Sequence, residues 1–454
     1  MKTFKSINPY NQSLLAEFEV FDNKKIESAL LNAEDAFAVW SKSKTQYRSD
    51  LLINLAKILR SHKEKYALNI SLEMGKILKE SRAEVEKCAA CCEFYAENGE
   101  KYLEVEEVKS DAFKSVVAFD PIGAVFAVMP WNFPFWQVIR FAAPTIFAGN
   151  VGLLKHAKNV TQCALHLEEA FKEAGFPDYV FQSLIIESSQ AEKIIQHDIV
   201  QGVTLTGSEA AGSSIAALSG KHIKKTVMEL GGSDPFIILE DADIILAAKA
   251  AAQSRMQNAG QSCIAAKRFI VIEKIKDEFI TAFKNEVEKI KQGNQLDENT
   301  TMGPVSTLKS AGDLHQQQKD SINAGAELIT GGNHDNANYQ PTIIANVKNG
   351  MPAYEEELFG PIASIINAID DEQAISIAND HRYGLGSTIF SRDLDKAYFL
   401  ARKINSGSVF INTIVKSDPR LPFGGIKKSG YGRELSHYGL KEFTNIKTIY
   451  INEY

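Results

Sequence analysis

The sequence predicts an α/β protein built from two packed, doubly wound domains, and three observations carry that prediction. From Ser115 onward, short β-rich runs are separated by helical stretches. Several of the runs are apolar without alternation, as strands covered on both faces are. The same order of strand and helix restarts after Gly232, with no flexible linker between the two passes. A chain of 454 residues has the length for about three parts at ~150 residues each, enough to bury large cores.

Taken in order, the first hundred residues read as helical. Ile26, Leu30, Phe37 and Trp40 form one apolar face, Leu51, Leu52, Leu55, Ile58 and Leu59 a second, and a third helix runs from about Lys79 to Tyr102. The runs SVVAFD, GAVFAVMP, GNVGLLKHA, FQSLIIE, GVTLTGS and TVMELGG are the strands of the first pass. The second pass brings PFIILE, a helix from about Ala242 to Gln257, KRFIVIE and an amphipathic helix from about Lys276 to Lys291. The strands TIIANV, IASIINA, STIFS and SVFIN follow. In such folds the cleft at the strand ends, between the packed domains, is the default site.

Composition narrows the function. With 50 Lys plus Arg against 57 Asp plus Glu, a net charge of −7, a general affinity for nucleic acid or anionic lipid is not expected. Between Asp120 and Lys155 the only charged side chain is Arg140, but Pro121, Pro130, Pro134, Asn132 and Gln137 interrupt the stretch, which reads as buried core rather than a membrane span. Five cysteines are too few and too unevenly spaced for a disulfide framework. With no signal-like segment in MKTFKSINPYNQ, a cytoplasmic location is expected. Cys88, Cys91, Cys92 and Cys163 read as packing residues, and no metal site is expected.

Four local signals point to chemistry. Cys263, in Asn258-Ala259-Gly260-Gln261-Ser262-Cys263, follows a helix on a loop of small and polar residues, where partial exposure and a favoured thiolate would make it a nucleophile. Glu229 interrupts an apolar strand just before two glycines; buried, it would have a raised pKa suited to a general base, but on its own it reads as an ordinary strand-end carboxylate. Gly207 and Ser208 open a helix after GVTLT, presenting N–H groups to phosphate or simply making a tight turn. Asn132 sits in Met129-Pro130-Trp131-Asn132-Phe133-Pro134, where two prolines hold a loop and aim an amide, a fitting donor to an oxyanion.

PWNFP, the strand end at Lys155, LTGS, MELGG, GQSC, EELFGP and PFGGIKKSGYGRE, in this order and at these spacings, resemble the NAD(P)-dependent aldehyde dehydrogenase superfamily, over nearly the whole chain. The resemblance implies an aldehyde dehydrogenase-like fold with an NAD(P)-binding domain at 1–104 and 121–231 and a catalytic domain at 232–441. It adds a small β oligomerisation element from 105–120 and 442–454, hence a homodimer or homotetramer. It makes Cys263 the nucleophile toward a small-molecule aldehyde, Asn132 with the backbone N–H of Cys263 the oxyanion donors, and Glu229 the base for thioester hydrolysis. Trp131, Lys155, Gly207 and Ser208 are implied at the adenosine and pyrophosphate site, Glu357 and Phe359 at the nicotinamide ribose.

Where NAD-preferring relatives often carry KPxE, this chain reads Lys155-His156-Ala157-Lys158, so Lys158 is expected to attract a 2′-phosphate and NADP to be accepted alongside NAD. The length, PWNFPFWQVIRFAAP and KHA resemble the short bacterial succinate-semialdehyde dehydrogenases. That resemblance implies Arg140 gripping the remote carboxylate, Ser417 beside it and Trp136 walling the pocket; an internal salt bridge is the other reading of Arg140. Gln257 departs from the second arginine some semialdehyde enzymes place six residues before the nucleophile, and Ala265 excludes a disulfide with a neighbour of Cys263. Other aliphatic or semialdehyde substrates, a CoA-acylating relative and a non-catalytic member of the fold remain the alternatives.

Overall fold

Two mainly parallel sheets, each with its own apolar core, organise the computed structural model, which describes residues 2–453. In space the first sheet runs Gly430–Tyr431, Lys225–Glu229, Val200–Thr206, Ala124–Met129, Val151–His156, Phe181–Ser183, and only the two-residue edge strand is antiparallel. The chain therefore builds outward from Ala124–Met129 in one direction, then returns to its other side with Val200–Thr206. The carboxyl ends of these two strands flank a topological switch point, where connections leave in opposite directions and a crevice opens.

The four N-terminal helices, Asn23–Trp40, Thr45–Ser61, Lys63–Met74 and Leu78–Leu103, supply buried apolar residues to the first core. Helix Trp136–Phe147 is buried at every position, which accounts for the nearly uncharged stretch around Arg140: a helix covered all round has no polar face to show. Among the described residues no helix is long and apolar enough to cross a membrane. The helical reading of the N-terminus missed a hairpin, Thr3–Ile7 with Leu14–Glu19; most of its side chains are exposed or only half-buried, so no strict apolar alternation marks it.

The second sheet runs Glu327–Thr330, Thr342–Ala345, Ile362–Ala368, Ala266–Ile272, Asp234–Ile238, Thr388–Phe390, Phe410–Ile411, parallel except for its first pair. Its core draws on residues from Phe236 to Ile404. The expected extent of this unit, 232–441, differs from the packing at its end: Phe423, Leu435, Leu440 and Phe443 belong to the first core. The physical reason is the edge strand Gly430–Tyr431, which pairs with Lys225–Glu229 and draws the chain back across. Gly430 is required there, because its φ is +114° and a Cβ would lie 1.8 Å from the Met228 carbonyl oxygen.

SVVAFD joins neither parallel sheet. Lys114–Pro121 lies antiparallel between Glu106–Glu107 and Thr444–Ile451, within the stretches expected for the small β element. Ile446, Ile449, Tyr450 and Ile451 of the last strand are exposed, as are Val105, Val108 and Phe113 nearby.

His156, at the end of Val151–His156 and in register with Met129, fixes the loop that leaves the crevice strand. Its Nδ1 accepts from Ala157 N at 2.9 Å, so Nε2 carries the proton and donates to the Pro134 carbonyl at 2.8 Å. Burial lowers its pKa to about 4. The unfolded chain therefore binds a proton at this residue below about pH 6.5 that the folded protein refuses until about pH 4. Stability falls as pH drops through that window, by about 3 kcal/mol from this group alone. His156→Gln is expected to flatten the fall of Tm between pH 6.5 and 4 relative to wild type, measured by thermal denaturation; an unchanged slope assigns the effect elsewhere.

Candidate functional site

The loops that leave the two crevice strands, and the segment ending at Cys263, enclose a cavity of about 300 Å³ lined by Trp131, Asn132, Gly207, Ser208, Glu357, Phe359 and Cys263. Ser208 is the N-cap of helix Glu209–Lys221, accepting from Ala211 N through its hydroxyl at 3.3 Å. The remaining first-turn N–H groups and the positive end of the helix dipole are available to an anion. Trp131 and Phe359 meet edge to face at 5.8 Å. Glu357 accepts from Gly232 N at 3.1 Å and pairs with Lys267 at 3.2 Å, and it passes so close to Gly231 that a Cβ there would lie 2.4 Å from its Oε2.

Lys155 is half-buried at its strand end, where burial lowers its pKa. Lys158 is exposed and faces a separate cavity of about 660 Å³, together with Lys2, Lys5 and Lys309. These two, and Glu229, are the sequence-expected site residues that the structure does not place on the walls of the Cys263 cavities.

The backbone before the nucleophile is strained. Asn258, Ala259 and Gly260 have φ of +52°, +50° and +73°, a left-handed run that costs about 1–2 kcal/mol at each non-glycine residue. Hydrogen bonds hold it: Asn258 N donates to the Glu80 carboxylate at 3.0 Å, and Asn258 Nδ2 donates to the carbonyls of Asn132 at 2.8 Å and Gln261 at 3.1 Å. Burial pushes Glu80 up to about 7, against the pull of Lys76. Asn132, itself buried, donates through Nδ2 to the Gln261 carbonyl at 3.0 Å and accepts from Gln137 Nε2 at 3.0 Å. Gln137 thereby fixes the amide orientation, turning its N–H groups toward the nucleophile loop.

Cys263 is half-buried, and burial pushes its thiol up to about 12 while Arg140 and Lys267 pull the other way. The expected thiolate-favouring loop is thus a site in which desolvation outweighs the cations, and the thiol is protonated near neutrality. Glu229 is buried, and among the described residues neither carboxylate oxygen takes a hydrogen bond. Burial first, then the neighbouring Glu434, hold it well above the usual carboxylate range. It is a desolvated carboxylic acid, not a solvated strand end.

A second cavity of about 260 Å³ meets the first at Cys263 and is lined by Trp136, Arg140, Gln257, Ser417 and Lys87. Arg140 Nε lies 2.5 Å from Glu434, with both side chains buried, and its Nη2 donates to Thr206 at 3.3 Å, so the internal salt bridge, the other reading of Arg140, is present. Its charge is balanced inside the protein, because an isolated guanidinium in an apolar helix is stable only with an internal anion. Ser417 accepts from Trp136 Nε1 at 3.1 Å and from Lys87 at 2.7 Å.

Sequence reasoning missed Gln137, Glu434, Lys267 and Lys87. Glu434 ends the quoted run PFGGIKKSGYGRE and Gln137 lies within PWNFPFWQ, so both were visible without a role. Lys87 reads from sequence as one lysine on a helix.

Comparison with known proteins agrees with this architecture. The aldehyde dehydrogenase family model matches residues 1–449. A probable succinate-semialdehyde dehydrogenase [NADP(+)] of Synechocystis sp. is 45% identical over 98% of this chain and 99% of its own length. A succinate semialdehyde dehydrogenase [NAD(P)+] of Escherichia coli is 43% identical over 98% and 97%. The crystal structure of succinic semialdehyde dehydrogenase from Streptococcus pyogenes in complex with NADP+ superposes with a TM-score of 0.97 at 39% identity, over 99% of this chain and all of that one. Crevice, strained cysteine loop and full-length match lead to one conclusion: the chain belongs to the aldehyde dehydrogenase family.

Proposed function

We propose that this protein oxidises succinate semialdehyde to the dicarboxylic acid with NADP or NAD. The observation that carries the reading is Cys263 at the junction of two cavities, one ending at a helix N-terminus suited to phosphate and the other containing Lys87, Ser417 and Arg140. The names of the Synechocystis, E. coli and S. pyogenes relatives favour the same substrate and cofactors.

The residues present fit a dinucleotide: free N–H groups at Ser208, the close backbone of Gly207 and Gly231, the carboxylate of Glu357 for ribose hydroxyls, and the aromatic pair Trp131 and Phe359. When bound, NADP or NAD supplies the hydride acceptor. Cys263 Sγ, once deprotonated, attacks the aldehyde carbon, and the oxyanion that forms is met by Asn132 Nδ2 and the backbone N–H of Cys263. Loss of hydride leaves a thioester on Cys263. Glu229, in its ionised form, then takes a proton from water as it attacks the thioester carbon, and the acid departs with the thiolate regenerated. A base with a raised pKa combines availability with basicity near neutral pH. Retention of this buried carboxylate favours water over CoA as the acyl acceptor.

The exposed apolar strand Thr444–Ile451 supports assembly with a second copy of the chain through the small sheet.

Four outcomes follow from this reading. Glu229→Gln should give a burst of about one NADPH per site and then turn over roughly 10²–10⁴-fold more slowly. Stopped-flow absorbance measures it, and a variant that loses the burst itself assigns Glu229 an earlier step. The wild-type kcat should rise with pH through the raised Glu229 titration, above the ordinary carboxylate range, and that limb should vanish in the variant. Lys158→Ala should raise KM for NADP by roughly three- to tenfold while leaving KM for NAD within about twofold; equal changes for both remove Lys158 from cofactor choice. Ile446→Lys should lower the molar mass in multi-angle light scattering toward that of one chain, and an unchanged mass places the interface elsewhere.

A further inference from the structure

Of the cations around the Cys263 cavities, Lys416 is exposed and forms no ion pair among the described residues, and the less exposed ones can be assigned one by one. Arg140 is paired with Glu434, and Lys267 with Glu357. Lys76, behind the Phe133 ring, is paired with Glu84. Lys87 differs: among the described residues no carboxylate lies within ion-pair distance of its Nζ, and the nearest candidates on its own helix are committed, Glu84 to Lys76 and Glu86 to Arg60. The ammonium lies 4.0 Å over the Trp136 ring and donates to Ser417 Oγ at 2.7 Å, on the wall of the cavity that ends at Cys263.

Ser417 accepts from both Lys87 and Trp136 Nε1. With its oxygen used as an acceptor twice, its own proton is the one left to give. Lys87 keeps two further N–H donors. Two donors, one of them charged, therefore converge on one patch of the cavity beside Trp136, Phe133 and Val415, while Arg140, Gln137, Gln257 and Lys416 line other parts of it.

We propose that Lys87, acting with the Ser417 hydroxyl, binds the remote carboxylate of the substrate, the role the sequence assigned to Arg140. The inference rests on the succinate semialdehyde reading and deepens it. Desolvation, and the like charge of Arg140, pull the free Lys87 ammonium down to about 8. A cation so disfavoured gains more from an arriving carboxylate than a solvated lysine does. Arg140 keeps Glu434 and holds the cavity wall in place.

The test is steady-state kinetics with saturating NADP on wild type, Lys87→Met and Lys87→Arg, using succinate semialdehyde and butanal, which has the same carbon count and no carboxylate. Methionine keeps an unbranched stem over Trp136 and removes the ammonium, both its charge and its hydrogen bond to Ser417. In Lys87→Met, KM for succinate semialdehyde should rise roughly 10- to 100-fold, the size expected for one charged hydrogen-bonding contact. Its kcat, and both constants for butanal, should stay within about twofold, and Lys87→Arg should recover most of the loss. Succinate should raise the Tm of wild type and not of Lys87→Met, a readout that needs no turnover. An unchanged KM for succinate semialdehyde, or an equal rise for both aldehydes, overturns the assignment and makes Lys87 a packing residue. A wild type that does not prefer succinate semialdehyde to butanal overturns the substrate reading beneath it.

Discussion

One buried ion pair determines where the reacting groups stand. Lys76 and Glu84, both almost fully buried, meet beneath the loop that carries Asn132. Glu84 also accepts from the backbone N–H groups of Phe135 and Trp136 at 2.8 and 3.0 Å, the open amides at the start of helix Trp136–Phe147. The carboxylate is thus held by an ammonium on one side and a helix N-terminus on the other, which is how a buried charge becomes tolerable. One turn away on the same helix, Glu80 takes the amide of Asn258 and secures the strained approach to Cys263. A single helix, Leu78–Leu103, therefore sets the distance between the amide and the thiol across the two cores. Removing either member of the Lys76–Glu84 pair would leave a lone charge in the interior, at a cost of about 3–5 kcal/mol.

The electrostatic character of the site follows from the same economy of charge. Arg140, Lys267 and Lys76 are each balanced by a carboxylate around the crevice, and Cys263 and Glu229 are left out of the pairing. Cys263 and Glu229 are both held in their neutral forms by desolvation. The strain at Asn258 and Ala259 belongs to this arrangement, since it points the backbone of Cys263 into the cavity junction and is sustained by hydrogen bonds on three sides.

The doubly wound architecture was legible because apolar strand runs and amphipathic helices declare themselves within a few residues. Cys263 and Asn132 stood out locally because each sits in a short segment rich in glycine or proline, whereas Glu229 was selected only by the resemblance of the ordered motifs. What sequence could not disclose is pairing at long range. The partner of Arg140 is at the far end of the chain, and the partner of Lys267 lies on another loop, so their charges looked free. Lys87 was hidden for the opposite reason. On a helix with many exposed charges nothing in the local pattern distinguishes a lysine facing solvent from one laid over a tryptophan. The N-terminal hairpin escaped because a surface strand has no strict alternation to read.

The return of the chain after Ile404 to the first core has a consequence for biosynthesis. Glu434, which neutralises Arg140, helix Ser436–Glu442, which packs on Leu78–Leu103 and Trp136–Phe147, and Thr444–Ile451, which covers Lys114–Pro121, are all made last. The first-made lobe leaves the ribosome with a buried guanidinium lacking its anion and a strand lacking its neighbour. It reaches its native state only when the final residues emerge. Until then the first-made lobe carries an open sheet edge, and a chain cut short before Thr444–Ile451 leaves Lys114–Pro121 without that neighbour.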